Sequence, residues 1–542
     1  MLCYSGKSVY PGIAFGSVFI LKKPRIIIDE SPADDIHSEL KQFDEAKRIA
    51  IAELELIFQK IINEIGEEEA SIINVQRLML EDEDLIDMIK AHIMKETSRA
   101  AHAVLKAGRH FSQVFAALDD PYMKARAPDF MDITNRMVRI LTGAKEEIKL
   151  SGPSIIIADD LTPSETAHLD KSMACGFVIR HGSANSHTAI LARTLKIPSL
   201  IQADIPMDME LNGFPAAVDS HNGKAYIKPD NNVIRKLQSL QNNDVKKETK
   251  LEKMRGLPST TMDGLKVNLF ANISSAEDME AALANDAEGI GLFRSEFLYL
   301  SRDDYPAEEE QFEAYRKAAL GMKGRPVIIR TFDIGADKTI HYFGLEPEAN
   351  PALGIRAVRI YFEKPEFFKT QLRAIYRASA FGNISIMFPM IASLWELRRC
   401  KEIAFQVREE MSGAGISVGN VPLGIMIETP AAALIADDLA KEADFFSVGT
   451  NDLTQYTLAV DRQNEKLAPF FDPRHPAVLK LMKMIAQSAV NAGIFAGICG
   501  ELASDITLTE KFIQMGYTEI SVSPGFILRT RKKIRSIKTG TK

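Results

Sequence analysis

The residue best suited to covalent chemistry stands where a helical pattern begins. His187 follows a run of small and polar residues at 182–186 and precedes an apolar helical pattern at 188–195. An imidazole is nucleophilic near neutral pH, and an anionic group bonded to it would lie close to the free N–H groups of a helix N-terminus. Upstream, residues 160–166 are typical of a capped helix start, and Thr166 is a candidate to orient the ring. A lone histidine among small residues is more often structural, so this segment alone leaves both interpretations open.

Two carboxylates from separate parts of the chain have the residue type and setting of a magnesium site. Glu428 stands in Ile-Glu-Thr-Pro and Asp452 in Gly-Thr-Asn-Asp, each at the end of a short apolar run. Mg²⁺ prefers oxygen ligands and keeps part of its water, so two carboxylates and substrate oxygens would suffice, with Asn451 donating to a substrate oxygen nearby. The alternative is a structural ion pair of these carboxylates with Arg462 or Arg330.

Three arginines also follow apolar runs or lie on the loops between them. Arg294 and Arg330 each follow such a run, and Arg462 lies on a later loop. Guanidinium groups bind phosphate and carboxylate in a forked geometry, so three of them at one opening would suit a small, highly charged anion. Each arginine taken alone is more often part of a surface salt bridge, and only their shared placement favours an anion site.

A single cysteine, Cys499 in Gly-Ile-Cys-Gly-Glu, also follows an apolar run. A lone cysteine is usually a small buried hydrophobic residue. Because Gly500 has no side chain to cover the sulfur, we expect an accessible thiol, which makes Cys499 a candidate proton donor.

The elements that must position these residues begin near Thr260, where eight apolar runs alternate with helical patterns. The runs lie at 267–271, 289–293, 327–331, 384–389, 423–427, 445–448, 494–498 and 519–522. Alternation of strand and helix over this length predicts a (β/α)8 barrel. Polar residues that follow the runs, among them Glu296, Asp333 and Glu501, are then expected at the carboxyl end of the barrel, where barrel enzymes have their active sites.

The first half of the chain is expected to form an α/β domain that is interrupted by helices. Short β-rich runs at 154–158, 176–180, 216–218 and 225–227 predict strands, and residues 8–22 predict a strand pair with a turn at Pro11 and Gly12. Between these parts, apolar residues recur at helical spacing, which predicts an inserted helical bundle. A polar stretch rich in Lys and Glu follows and predicts an exposed linker helix. The predicted domains are residues 1–30 with 143–230, 31–142, 231–258 and 259–542.

Bulk composition narrows the class of protein. Hydrophobic residues make up 46% and charged residues 26% of the 542 residues, which is ordinary for a globular protein of several domains. The net charge of -7 argues against general nucleic-acid binding, and no apolar run reaches the length of a membrane helix. The four cysteines are far apart and the N-terminus lacks a signal-peptide layout, so we expect a cytoplasmic enzyme with reduced thiols.

The start of the predicted helical insertion is strongly acidic. Between Asp29 and Arg99 there are 19 acidic and 8 basic residues. Such a face is often only solvated, and the alternative is a docking surface for a basic protein partner.

Five motifs stand in order along the chain. They are Leu-Thr-Pro-Ser-Glu-Thr-Ala at 161–167, Ser-His-Thr at 186–188, Asp-Ile-Gly-Ala-Asp-Lys at 333–338, Gly-Thr-Asn-Asp-Leu-Thr-Gln-Tyr at 449–456 and Cys-Gly-Glu-Leu at 499–502. With them the chain resembles, over nearly its whole length, enzyme I of the bacterial phosphoenolpyruvate-dependent sugar phosphotransferase system. The resemblance implies an α/β multidomain enzyme, in which a swivelling phosphohistidine domain takes the phosphoryl group of phosphoenolpyruvate and passes it to the small carrier protein HPr.

The same resemblance implies a role for each candidate residue. His187 would carry the phosphoryl group on Nε2, Cys499 would protonate the enolate to give pyruvate, and Glu428 and Asp452 would hold Mg²⁺. The residues that would bind phosphoenolpyruvate are Arg294, Arg330, Arg356, Asn451, Asp452 and Arg462. HPr would dock on the acidic helical insertion, and the family acts as a homodimer through its barrels.

The sequence differs from the family pattern at several positions, and each difference leads to an expectation about activity. Ser183 and Ala184 replace a glycine and an arginine before the histidine, Asn185 replaces a threonine, and Ala336 replaces a glycine. Loss of that arginine is expected to slow transfer or to alter the carrier preference. The chain also ends before the usual end of family members, from which we expect a weaker dimer or lower efficiency. No sensory domain precedes residue 1, which favours the sugar branch of the family over the nitrogen-related branch.

Two other functions compete with this one. A dikinase or synthase that uses ATP shares the swivelling histidine and the barrel, but it needs a nucleotide-binding domain for which no segment is free. A degenerate, regulatory homologue that senses phosphoenolpyruvate and has weak transfer activity is favoured by Ser183 and Ala184. The intact candidate residues at the predicted barrel mouth count against it.

Overall fold

The computed structural model falls into two compact units, Met1–Lys247 and Glu248–Lys542. The described residues are 1–21, 28–64, 67–118, 126–144, 150–161, 165, 169–170, 172–182, 187–207, 210–300, 302, 304–335, 340–346 and 348–540. The expectations for Thr166, for the substitutions at 183–185 and for Ala336 lie outside these residues.

Eight strands of the first unit form one sheet. The strands are β1 Leu2–Ser5, β2 Lys7–Tyr10, β3 Ile13–Leu21, β4 Ser154–Ala158, β5 Ala174–Ile179, β6 Ser199–Ile201, β7 Pro215–Asp219 and β8 Lys224–Ile227. Their order across the sheet is β1-β8-β7-β3-β4-β5-β6-β2, with parallel pairing from β3 to β6. The central strands are buried on both faces, since Ile155 and Ile157 pack in one apolar cluster and Ile156 and Ala158 in another.

The strand pair predicted at 8–22 is wrong in its pairing. Strand β2 pairs with β6 at one edge of the sheet, whereas β3 pairs with β4 and β7 in the middle. The reason is burial on both faces of β3, where Val18 packs in one cluster and Phe19 against the other. A strand of this kind needs a neighbour on each side, so the chain crosses the sheet after Pro11 and Gly12 instead of forming a hairpin.

Five helices of the described residues lie between β3 and β4. They are α1 Ile36–Glu64, α2 Glu67–Leu80, α3 Glu83–Lys95, α4 Ala100–Ala116 and α5 Ala127–Thr142. Their apolar stripes form a separate core that includes Phe43, Leu54, Ile89, Val104 and Ile133, as the helical spacing in the sequence predicts.

In the described residues of the first half of the chain, two further helices follow, α6 His187–Thr194 and α7 Asn231–Glu252. Helix α7 was expected to be an exposed linker, and most of its length is polar. Its first turns nonetheless carry a short apolar stripe, because Leu237 is buried against Ile13 and Ala217 of the sheet.

The second unit is a closed barrel of eight parallel strands. The strands are β9 Asn268–Ile273, β10 Ile290–Arg294, β11 Val327–Arg330, β12 Ile384–Phe388, β13 Leu423–Ile427, β14 Phe445–Val448, β15 Phe495–Ile498 and β16 Glu519–Val522. Each strand pairs with the next, and β16 pairs with β9 to close the ring. All eight predicted runs are strands, which confirms the predicted barrel and the α/β multidomain class.

Helices cover the outside of the barrel. They are α8 Asp278–Ala284, α9 Glu308–Gly321, α10 Val358–Glu363, α11 Pro365–Ala378, α12 Leu394–Gly413, α13 Pro430–Leu434, α14 Ala436–Leu439, α15 Thr450–Leu458, α16 Pro476–Ala492, α17 Thr509–Met515 and α18 Ile527–Ile534. Inside the barrel lies a small apolar cluster with Ile328, Met387 and Cys499 among its members. In the described part of the chain, no helix combines the length and the apolar character that crossing a membrane requires.

Candidate active site

The carboxyl ends of the barrel strands surround a polar cavity of about 460 Å³. It is lined by Leu292, Arg294, Glu296, Phe297, Arg330, Asp333, Met426, Glu428, Gly449, Asn451, Asp452, Arg462, Gln463, Phe471, Cys499, Gly500 and Glu501. Parallel strands end at one rim, so residues far apart in sequence meet there. Of the predicted barrel residues, only Arg356 is absent from this lining among the residues described.

Two of the arginines are neighbours across adjacent strands. Arg294 is the last residue of β10 and Arg330 the last of β11, and the two are register partners. In the described part of the chain, Arg294 forms no salt bridge. Burial, followed by the nearby Arg330, lowers the pKa of Arg294. The two guanidinium groups lie side by side, and that of Arg294 has no carboxylate partner among the described residues. Its positive charge could therefore be balanced by a bound anion.

Arg330 is held by carboxylates of the barrel itself. It is buried and forms salt bridges with Glu296 and with Asp333, the latter at 3.3 Å. Burial alone would lower the pKa of Arg330, but Glu296 and Asp333 raise it above its ordinary value. The alternative that Arg330 pairs with Glu428 or Asp452 therefore does not describe its closest contacts.

Arg356 lies next to the cavity and joins two carboxylates of its wall. Its Nε and one terminal nitrogen donate to Asp333 at 2.8 and 2.9 Å, and the other terminal nitrogen donates to Asp452 at 2.9 Å. The backbone comes close here, since a Cβ on Gly335, which has φ of +107°, would lie 2.6 Å from the Ile355 carbonyl oxygen. Arg356 thus fixes Asp333 and Asp452 in place, and direct contact with substrate stays a prediction.

Glu428 follows the end of β13 and has one carboxylate oxygen to spare. Oε1 accepts a hydrogen bond of 2.7 Å from the backbone N–H of Met390, whereas Oε2 has no hydrogen-bond partner among the described residues. Burial, then the carboxylates Asp452 and Asp333, raise the pKa of Glu428. A buried carboxylate with an unused oxygen beside other carboxylates fits a cation ligand.

The residues present fit magnesium better than a metal held by protein side chains alone. Among the described residues no group of three or more His, Cys, Asp and Glu has the geometry of a metal cage. Mg²⁺ uses one or two carboxylates and takes its other ligands from water and phosphate oxygens. Glu428 and Asp452, which both line the cavity, meet that smaller requirement.

Asn451 and Asp452 lie in the first turn of α15, directly after β14. The Asn451 amide oxygen accepts a hydrogen bond of 3.3 Å from the backbone N–H of Glu501, which leaves its amide group to donate. Arg462 approaches Asp452 at 3.8 Å and is only partly buried. The sequence left open an ion pair of Glu428 or Asp452 with Arg462 or Arg330 as the alternative to a magnesium site. Within the described residues, this longer contact is the only such pair.

Cys499 directly follows β15 and is less accessible than its sequence suggests. It is 1% exposed, and its thiol donates to the Val448 carbonyl oxygen at 3.6 Å. Burial raises the pKa of Cys499 to about 12, so the group is a protonated thiol at neutral pH. Gly500 serves packing instead of access, since a Cβ there would lie 1.9 Å from Thr450 Oγ1. Cys499 nevertheless is one of the residues that line the cavity.

His187 lies in the other unit, as the first residue of α6. The neighbouring Thr188 is buried and donates to the Leu161 carbonyl oxygen at 3.3 Å and to Asp160 at 3.4 Å. Position at a helix N-terminus agrees with the sequence, while the side chain of His187 lies outside the described part. The structure thus gathers the barrel residues at one mouth and leaves His187 in a separate unit.

Reasoning from the sequence missed several cavity residues, among them Met426, Phe471 and Gln463. Met426 accepts from Arg330 at 3.6 Å, and Phe471 and Gln463 line the cavity from the loop after α15. Met426 could have been found from its place in the penultimate position of a predicted strand. The loop residues have no such periodic signal.

A parallel barrel with arginines and carboxylates at its mouth defines an enzyme that acts on a small anion. Three family models match the chain: the PEP-binding domain of PEP-utilising enzymes at residues 248–539, their N-terminal domain at 5–126 and their mobile domain at 150–223.

Curated relatives narrow this class further. The chain is 40% identical to the phosphoenolpyruvate-protein phosphotransferase of Haemophilus influenzae over 98% of this chain and 94% of the relative. The protein of the same name from Listeria monocytogenes is 37% identical with the same coverage, and that from Bacillus subtilis is 38% identical over 97% of this chain and 93% of the relative. The chain therefore belongs to the phosphoenolpyruvate-protein phosphotransferase family of PEP-utilising enzymes.

Proposed function

We propose that this enzyme takes the phosphoryl group of phosphoenolpyruvate onto His187 and passes it to a histidine of HPr, which starts a sugar phosphotransferase relay in the cytoplasm. One observation carries the proposal. Apart from Arg356, the arginines and carboxylates predicted to serve the reaction line one cavity, where Arg294 has no salt bridge within the described residues.

The barrel mouth suits a substrate that carries both phosphate and carboxylate. Arg294, Arg330 and Arg462 offer forked donors, and Asn451 has an amide group free to donate. Arg356 acts from behind the cavity wall, because it holds Asp333 and Asp452 in place. Phosphoryl transfer depends mainly on such positioning and charge stabilisation.

Glu428 and Asp452 would hold Mg²⁺ in this cavity. When bound, the ion would offset charge on the phosphate oxygens. The unpartnered Oε2 of Glu428 is the atom in the described part that most clearly supports this assignment.

In the chemical step, Nε2 of His187 attacks phosphorus in line, and the enolate of pyruvate leaves. The N–H groups at the start of α6 favour the negative charge that His187 then carries. Cys499 gives the enolate carbon a proton, for which a buried thiol that stays protonated at neutral pH is suited.

HPr would dock on the helical insertion. Four consecutive acidic residues at 81–84 are exposed at the start of α3. Their negative charge suits a basic partner. One of them also has a local role, because Asp82 caps α3 by accepting from the Leu85 N–H at 3.0 Å. Assembly as a homodimer through the barrels is part of the same proposal.

The domain limits are also proposed as 1–30 with 143–230, 31–142, 231–258 and 259–542. Because His187 and the cavity belong to different units, transfer requires the histidine domain to visit the barrel. The candidate hinges are the segments near Pro229 and at 237–258. Since α7 is continuous from Asn231 to Glu252, we place the bending at its two ends.

The test is incubation with phosphoenolpyruvate labelled in its phosphoryl group, together with Mg²⁺, followed by mapping of the acid-labile phosphate. His187→Ala should abolish labelling of the protein because the acceptor nitrogen is gone. Binding of phosphoenolpyruvate, measured by calorimetry, should persist because the barrel is unchanged.

His181→Ala is the matched control, since His181 is an exposed histidine on the same segment, and it should label normally. Added HPr should then remove the label from the wild-type protein. Label retained by His187→Ala would exclude His187 as the acceptor, and label that HPr does not remove would exclude that carrier.

A further inference from the structure

A carboxyl group lies in the interior of the barrel and has no part in the reaction described so far. Glu519 begins β16, is 0% exposed, and neither of its carboxyl oxygens has a hydrogen-bond partner among the described residues. Burial raises the pKa of Glu519 to about 8, so the group holds a proton at neutral pH. A buried carboxyl without a partner is unfavourable for folding, which makes a functional reason worth seeking.

Two glycines make room for this carboxyl. Gly497 of β15 is the register partner of Glu519, and a Cβ built on Gly497 would lie 2.9 Å from the Glu519 carboxyl carbon. A Cβ on Gly291 of β10 would lie 2.5 Å from Glu519 Oε1. The carboxyl therefore occupies the space of two absent side chains, over Gly497 and against Gly291.

This position lies directly below Cys499. Cys499 is two residues beyond Gly497, and side chains two apart on a strand point to the same side. It is also a member of the apolar cluster inside the barrel, so Cys499 occupies the next interior level toward the cavity. After burial, the carboxyl groups that raise the pKa of the Cys499 thiol include Glu519.

A hydroxyl completes the arrangement on the other side of Gly497. Ser447 of β14 is the second register partner of Gly497. It is fully buried, and its hydroxyl has no hydrogen-bond partner among the described residues. Burial is the main influence on the pKa of the Cys499 thiol, and Ser447 is the next. Ser447 and Glu519 thus flank one glycine beneath the sulfur, and each has hydrogen-bonding capacity to spare.

We propose that Glu519 is an internal proton reservoir that, through the Ser447 hydroxyl, returns a proton to Cys499 after the thiol has protonated the enolate. The inference rests on the proposed role of Cys499. The S–H proton passes to the enolate carbon and leaves a thiolate. The Ser447 O–H proton then passes to sulfur while the Glu519 O–H proton passes to the Ser447 oxygen. After pyruvate leaves, the relay runs in reverse: the Cys499 S–H proton passes to the Ser447 oxygen while the Ser447 O–H proton passes to the Glu519 carboxylate, and water in the emptied cavity then protonates the sulfur. Glu519 and Ser447 are positioning residues, since they act through Cys499.

The experiment separates protonation from phosphoryl transfer. Enzyme-catalysed exchange of the pyruvate methyl hydrogens with D₂O, followed by NMR, reports on the path to carbon. Labelling of the protein by phosphoenolpyruvate in the first turnover comes before reprotonation. Glu519→Gln keeps the shape of the side chain and should slow the exchange at least about tenfold. This is less than the rate enhancement that a general acid or base usually provides. Labelling in the first turnover should not change.

Three further variants complete the design. Ser447→Ala should slow the exchange in the same direction and offers a second, independent test. Cys499→Ser should abolish the exchange, which establishes that the signal reports on Cys499. Thr509→Val removes another buried hydroxyl that lacks a partner in the described residues, outside the barrel interior, and should change neither readout.

Each outcome decides the matter. Exchange at the wild-type rate in Glu519→Gln and Ser447→Ala, with loss in Cys499→Ser, would overturn the reservoir and leave the proposed function standing. An equal fall in exchange and labelling would assign Glu519 a structural role and overturn it too. Failure of the wild-type protein to label would remove the proposed function and this inference together.

Discussion

The barrel mouth and the start of α6 hold their reactive groups in different ways. At the mouth, residues from the end of β11 and from the segments after β10, β11 and β14 are tied together by buried ion pairs. Arg330 pairs with Glu296 and Asp333, and Arg356 pairs with Asp333 and Asp452. At α6, a single helix of eight residues begins with His187 and is anchored by Thr188. The proposed anion site is built into the barrel, whereas His187, the proposed carrier of the phosphoryl group, stands at the end of one short element.

Within the mouth, the neighbours Arg330 and Arg294 give the sharpest test of this difference. Arg330→Met should destabilise the barrel by about 3 to 5 kcal/mol, because Glu296 and Asp333 would lose a buried partner. Chemical unfolding of the full chain, followed through the barrel transition, measures the change.

Arg302→Met is the matched control for Arg330. Arg302 forms a forked salt bridge with Glu310 at 2.7 and 2.9 Å, but both side chains are substantially exposed. Its loss should change stability by at most about 1 kcal/mol. Equal effects of the two variants would show that the buried pairs at the mouth do not brace the barrel.

Arg294→Met should have the opposite profile from Arg330→Met. Arg294 has no salt bridge within the described residues, so stability should hold or rise slightly. Affinity for phosphoenolpyruvate should fall by about 1.5 to 3 kcal/mol, which is about 10- to 150-fold, the range for a hydrogen bond to a charged group. Calorimetric titration of the variant measures it.

Arg325→Met controls for loss of positive charge. Arg325 precedes β11 at the other end of the strand from Arg330 and donates to the Ala287 carbonyl oxygen at 2.6 Å. It should leave the affinity unchanged. A fall in affinity as large as that of Arg294→Met would mean that net charge, and not the position of Arg294, governs binding.

The parts of this site that the sequence predicted follow from strand geometry. A strand buried on both sides reads as a continuous apolar run, so all eight barrel strands could be identified, and residues such as Arg294 and Glu428 had to meet at one rim. The β6 strand at Ser199–Ile201 was missed because three residues are too short for a pattern. The pairing of β3 was predicted wrongly because a turn at Pro11 and Gly12 says nothing about which strands become neighbours.

Partners of the charged residues could not be predicted in the same way. Whether Arg330 pairs with Glu296 or with Glu428 depends on side-chain reach across strands, which no spacing records. The burial of Cys499 likewise depends on Thr450 packing against Gly500. Glu519 gave no signal at all, since a polar residue at the start of an apolar run is usually exposed.

The start of α6 offers the smallest effect and tests the other half of the comparison. Thr188→Val keeps the shape of the side chain and removes the hydrogen bond to the Leu161 carbonyl oxygen. Local stability should fall by about 0.5 to 1.5 kcal/mol, seen as faster amide hydrogen exchange in α6. The rate of His187 labelling should fall by a factor that corresponds to a similar free energy. The affinity of the barrel for phosphoenolpyruvate should not change.

Thr134→Val removes an equally buried hydroxyl bond, to the Phe130 carbonyl oxygen, within the helical insertion, and should leave the rate of labelling intact. If Thr188→Val also weakened binding of phosphoenolpyruvate, helix α6 would contribute to the affinity of the barrel site, which would contradict the separation of the two. If the anion site belongs to the barrel alone, Thr188→Val should change the labelling rate without changing the affinity for phosphoenolpyruvate. The reason is that a histidine that reaches the barrel mouth only for transfer adds nothing to the affinity of the barrel for its substrate.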